Sequence, residues 1–135
     1  MRECEVKSTG TLVDELLTTD LKWDAGAEVQ DRRHELANTV TGRTAVLLDD
    51  MTRYREFQQN LQELKVILKL CWDAQEVIMS SPDPTQCTQD QLMTLAIAAK
   101  EAQRTNAIRN RYIRKMDELV GETERTQLAK TYDKE

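Results

Sequence analysis

Glycine and proline are scarce in this 135-residue chain, four and two respectively, and there is a single phenylalanine. With 32% charged and 39% hydrophobic residues, that scarcity excludes a sandwich or barrel and fits an all-α protein of one domain. The three cysteines, Cys4, Cys71 and Cys87, form no CxxC pair and leave an odd count, so neither a disulfide framework nor a zinc site is indicated and a reducing compartment fits. No window approaches the roughly 18 apolar residues of a membrane span, and MRECEVKSTG lacks a signal-peptide core. The expectation is a cytoplasmic protein with no membrane partner. Net charge is -5, of which residues 1–60 carry -4 (8 basic, 12 acidic) and the remainder -1 (11 and 12), so nucleic acid is not an expected partner either.

What the chain does contain is helix punctuation and repetition. Thr11-x-x-Asp14, Asn60-x-x-Glu63 and Thr88-x-x-Gln91 each fit the pattern that satisfies the free amides of a first helical turn. The first two lie 49 residues apart, as do Leu12 and Leu61, Leu21 and Leu70, Trp23 and Trp72, Asp24 and Asp73, and Ala25 and Ala74. After one extra residue near Gly26, Glu28 and Val29 align with Glu76 and Val77. An internal duplication follows as an expectation.

The second half is the clearer copy. Leu61, Leu64, Leu68, Cys71 and Ile78, interrupted by Gln75, form one helical stripe that ends at Ser80-Ser81-Pro82-Asp83-Pro84. A helix after Thr88 then carries Leu92, Leu95, Ala99, Ala102, Asn106, Arg109, Ile113, Met116 and Val120 at 3,4 spacing and stops at Gly121. In the first half a helix over 12–24, a turn at Ala25-Gly26-Ala27 and a long helix from about Glu28 to Phe57 are expected, with Leu36, Val40, Leu47 and Tyr54 on the seam. The predicted organisation is a flexible 1–10, a hairpin over 11–58, a second over 60–121, and a polar tail 122–135. Two such hairpins bury their apolar faces against each other as an antiparallel four-helix bundle. Because residues 43–80 lack Gly and Pro, a fused second and third helix, in a rod that dimerises, is the alternative.

Three polar residues, Asn106, Arg109 and Arg43, fall where the seam calls for apolar ones. A buried guanidinium needs a partner, and the carboxylates of the repeated phrase, Asp24, Glu28, Asp73 and Glu76, are the candidates. The plainer reading is a register-fixing ion-pair set. The sharper one is a polar pocket for a small polar or anionic ligand, lined by Trp72, Glu76, Asn106, Arg109 and Asn110, with Trp23, Glu28 and Arg43 as the first-half counterparts.

Other signals favour bland readings. Lys100, Arg104, Arg111, Arg114 and Lys115 form a basic stripe, balanced by Glu101, Asp117 and Glu118 as on a solvated face. His34 sits among charges with no second histidine, there is no Glu-x-x-His pair, and Glu35 with Asp49-Asp50 lacks a Glu-x-x-Glu spacing. No phosphate loop or nucleophile elbow is present, so no catalytic residue, metal or cofactor is assigned.

The segment Trp72-Asp73-Ala74-Gln75-Glu76, the Ser-Pro-Asp-Pro turn, and Gln103-x-x-Asn106-x-x-Arg109-Asn110-x-x-Ile113-x-x-x-Asp117 resemble small bacterial helical families known as domains of unknown function. The pattern is also similar to the helical hairpins of flagellar and type III secretion chaperones, which implies binding of partner helices. The expected function is a non-catalytic protein–protein interaction or assembly module, as a homodimer or with another helical protein. A ligand-binding bundle, or an enzyme, using the Trp/Glu/Asn/Arg set is the second expectation.

Overall fold

Ser8 starts the first helix: its hydroxyl accepts from the Thr11 amide at 3.2 Å, and α1 runs over Thr9–Asp24. The computed structural model describes residues 7–122, and among them every regular element is helical. Of the expected flexible N-terminus, residues 1–6 lie outside the described residues, while Ser8, Thr9 and Gly10 are buried and form the cap and first turn of α1. Thr11 is therefore a first-turn residue, not the cap, which leaves Asp14 available for a contact elsewhere.

The turn at Ala25-Gly26-Ala27 forms as expected. Gly26 adopts φ +93°, and the Ala27 amide donates to the Lys22 carbonyl at 2.9 Å, closing the end of α1 with a left-handed residue that glycine tolerates. Helix α2 covers Gln30–Thr44. The long helix expected over 28–57 does not form: a 3-10 turn, Ala45–Asp49, follows α2, and the Asp50 side chain then accepts from the Arg53 amide at 3.2 Å to start α3, Met51–Ser80. The break needs no Gly or Pro because Asp50 stabilises a fresh N-terminus in extended backbone, φ -136° and ψ 92°. Asn60 consequently lies inside α3 and caps nothing.

After Ser81, Asp83 caps a short 3-10 turn at Pro84–Gln86. Thr88 and Gln91 form the expected capping box for α4, Gln89–Leu119, with reciprocal bonds of 3.2 and 2.8 Å. Gly121, at φ +74°, follows its end. The polar tail is represented only by Glu122, since 123–135 lie outside the described residues. Thr9 and Met51 open α1 and α3 42 residues apart (51 minus 9), whereas the Trp phrase repeats at 49. Trp23 accordingly sits on the last turn of α1 and Trp72 on the third quarter of α3.

Apolar burial gathers at one end of the molecule. Leu12, Val13 and Leu17 of α1, Leu36 and Val40 of α2, Leu47 of the 3-10 turn, Phe57, Leu64 and Leu68 of α3, and Met116 of α4 make one core. Helix α1 packs on α2, α3 and α4, so it is the central element. The longest interface is α3 with α4, which return alongside each other: Lys115 faces Glu56 at 3.8 Å, and Tyr112 lies near Glu63.

Helix lengths then decide the shape. With 16 and 15 residues, α1 and α2 span about 24 and 22 Å, whereas α3 and α4, with 30 and 31, span about 45 Å. Asp14 meets Arg109 and Gly10 meets Asp117, so α1 runs opposite to α4. Its ten residues after Asp14 carry it to the level of residue 99 on α4 (109 minus 10). On α3, Asp24 reaches the field of Lys69. Beyond those levels, residues 70–80 and 89–99 continue as a two-helix arm, held together through small side chains at Cys71, Ala74 and Ala98.

Candidate functional site

Two regions collect the residues that sequence reasoning marked, and they differ in kind. The first is a polar clasp between the start of α1 and the end of α4. Arg109 donates from Nε and Nη2 to the two carboxylate oxygens of Asp14, each at 2.5 Å, in a bidentate pair with side-chain exposures of 29% and 8%. The Asp14 hydrogen bond and charge raise the Arg109 pKa above its ordinary value, burial opposing them. One turn further along, the Gly10 amide donates to Asp117 Oδ1 at 2.7 Å, with Asp117 buried. Gly10 is required there by close approach, because a Cβ would overlap the Ile113 carbonyl oxygen and stand 2.7 Å from Asp117 Oδ1. Arg43 closes the clasp from α2, donating to the Lys7 carbonyl and facing Glu122 at 3.5 Å, while the Thr9 hydroxyl donates to Glu122.

Arg109 and Arg43 are half-buried rather than buried, and each is paired, but not with the expected carboxylates. None of Asp24, Glu28, Asp73 or Glu76 meets Arg109 or Arg43; all four are exposed. Asp73 pairs with Lys69 at 3.0 Å on its own helix, and Glu76 accepts from the Trp72 indole N–H at 2.7 Å, also within α3. The acids one and four residues after Trp72 are thus spent locally, through i,i+4 spacing. Asn106 and Asn110 are exposed. The five residues proposed to line a pocket therefore do not converge: Arg109 turns to Asp14, Trp72 to Glu76, and the two asparagines to the surface.

Thr105, not Asn106, is the polar residue buried against α3. It is fully buried, and its hydroxyl donates to the carbonyls of Glu101 at 2.8 Å and Ala102 at 3.2 Å. A threonine that satisfies itself on the preceding turn enters a seam cheaply, and that signal was present in the sequence. The α3-facing stripe is Ala98, Ala102, Thr105, Arg109, Tyr112, Met116 and Leu119, again a 3,4 series. The stripe through Leu92, Leu95, Ala99, Asn106, Ile113 and Asp117 lies to one side of it and is the one that meets α1 at Ile113 and Asp117.

The second region is the arm, where α1 no longer covers α3 and α4, and where of the exposed residues Leu92 belongs to that stripe while Met93 and Ile97 point to other faces of α4. On the arm, Met79 is 83% exposed, Ile97 63%, Met93 61%, Leu92 42% and Leu70 39%. Trp23, 43% exposed, stands where α1 ends and also lines an open groove of about 370 Å³ between α1 and α2 with Asp20, Arg33 and His34. In that groove Arg33 Nε donates to Asp20 at 2.5 Å. Glu28 borders the same region from the turn. Among the described residues no cluster of three His, Cys, Asp or Glu side chains could hold a metal ion, and no helix is long and apolar enough to cross a membrane. Compared with known protein families, curated proteins and solved structures, the chain matches none.

Proposed function

We propose that the protein is a non-catalytic helical module that works by protein–protein contact, its helices forming an antiparallel bundle whose second hairpin outreaches the first. The observation that carries this reading is the arm: two helices leave the common core and present large apolar side chains to water at a distance from the chain's other helices. Large apolar side chains exposed to water cost solubility unless something covers them, so their presence on the arm supports a contact surface. The clasp supports the same view from the other side, since its charged groups meet one another across helices and serve to hold α1 in place. The free Cys71 and Cys87 agree with work in a reducing, cytoplasmic setting.

A direct test is the melting temperature of dilute protein carrying Met79→Asp and Leu92→Asp. A contact surface contributes little to the fold of a single chain, so these changes should leave the midpoint within a few degrees of wild type. A drop of ten degrees or more would make the arm face part of the fold and end the proposal. The second reading, a small polar or anionic ligand, draws its support from the Trp23 groove with Arg33 and His34. Phosphate or a dicarboxylate raising the melting temperature of wild type but not of Arg33→Ala would favour it.

A further inference from the structure

We infer that the arm's occupant is a second copy of this chain, seated in the track that α1 vacates beyond Asp24, so that the two arms lie antiparallel and each fills the other's empty slot. The inference rests on the contact-surface reading above and names its partner.

The slot follows from helix lengths. Along the core half of the α3/α4 hairpin, α1 covers the side bearing Ile113 and Asp117; along the arm, the same side carries Leu92, Leu95 and Ala99 on α4 with Trp72 and Met79 on α3. A bundle element is missing there, and a helix laid in it would continue the packing that α1 begins. Two features select a second copy. From Thr88 through Leu92, Leu95, Ala99, Gln103 and Asn106 to Asn110 the α4 stripe has no charged residue, its charged member Asp117 lying further along beneath α1, so in a chain that is 32% charged this face does not repel itself. The charges around it complement each other head to tail. Residues 70–99 contain Asp73, Glu76, Asp83 and Asp90 and no Lys or Arg, whereas the base of the arm, 65–69 and 100–104, contains Lys65, Lys69, Lys100 and Arg104 against Glu101 and, from the end of α1, Asp24. Antiparallel arms set the acidic tip of each copy beside the basic base of the other, twice over by two-fold symmetry. Parallel arms would oppose acid to acid.

The remaining chain is a poor occupant by comparison: residues 1–6, which precede α1, hold only Met1, Cys4 and Val6 as apolar residues, and residues 123–135, which follow the far end of α4, only Leu128, Ala129 and Tyr132.

Sedimentation equilibrium of the full chain, from low to several hundred micromolar and at low and high salt, tests this. Wild type should dimerise, more weakly at high salt. Met79→Asp and Leu92→Asp should each weaken the dimer by roughly a hundredfold, because symmetry places every substitution in the interface twice. Ile97→Asp, five residues from Leu92 and on another face of α4, should leave it. A monomer at every concentration, or a dimer that tolerates Met79→Asp and Leu92→Asp, overturns the inference. Those outcomes are separable from failure of the contact-surface reading, which is decided by the melting of the same variants as dilute monomers.

Discussion

Removing one side of the Asp14–Arg109 pair should cost more when the arginine is removed than when the aspartate is. Arg109→Ala strands Asp14, whose side chain is 8% exposed and has its two oxygens held by the guanidinium, so it cannot regain water without moving α1. Breaking a buried pair by deleting one partner costs about 3–5 kcal/mol. Asp14→Ala strands Arg109 instead, but that side chain is 29% exposed and long enough to turn its head to solvent, so about 1–3 kcal/mol is expected. At roughly 4 °C per kcal/mol for a chain of this size, the two should melt about 12–20 °C and 4–12 °C below wild type. Replacing both, Asp14→Leu with Arg109→Met, exchanges an ion pair for apolar contact and should recover most of the loss, to within about 1 kcal/mol of wild type. Urea unfolding of wild type, Asp14→Ala, Arg109→Ala and the double variant carrying both alanines gives the coupling energy directly. Two results would refute the reasoning: a loss below about 1 kcal/mol for Arg109→Ala, or single-variant losses that simply add in the double variant.

Gly10→Ala should destabilise by about 1–3 kcal/mol through the clash with the Ile113 carbonyl, although alanine is the better helix former; denaturant unfolding measures it, and an unchanged or raised midpoint would mean α1 and α4 stand further apart. Asn60, 2% exposed, leaves its Nδ2 without an acceptor, and an unpaired buried donor costs about 1–3 kcal/mol. Asn60→Leu, of similar volume, should therefore be neutral or stabilising in the same assay, and a loss of several kcal/mol would show a hidden partner. Tyr112 has its pKa raised above 10.0 by its hydrogen bond to Glu63, with burial and the carboxylate's charge adding to it. Because the folded value lies above the unfolded one, the contribution is full below about 10 and is lost as pH rises through the folded value. A tyrosinate absorbance titration should show one of the tyrosines ionising late, and Glu63→Gln should bring that midpoint down.

The parts of the fold legible in sequence are those that local chemistry controls. Gly26, the Ser80–Pro84 stop, the Thr88–Gln91 box and Gly121 each act within four residues of themselves, and each is found where the sequence puts it. The start of α3 was legible by the same rule, in Asp50, but Asn60-x-x-Glu63 offered a competing cap of equal local quality. What separates them is Leu47, 1% exposed in the core, which requires the chain to turn just before Asp50. Likewise α4 carries two 3,4 series one residue apart at alternate positions, and periodicity favours neither. One faces α3 and the other faces α1 and the vacant slot.

Composition and local signals by themselves determined that the chain is helical, where most of its turns fall, and that an arginine on the last helix needs an acid. Tertiary structure decided which acid. Asp14 lies 95 residues from Arg109, and the repeated Trp-Asp phrase offered nearer carboxylates that satisfy themselves on their own helix. It also decided that α1 ends halfway along the hairpin it covers. That follows from comparing lengths of segments distant in sequence, and the uncovered half exists only once those lengths are laid side by side.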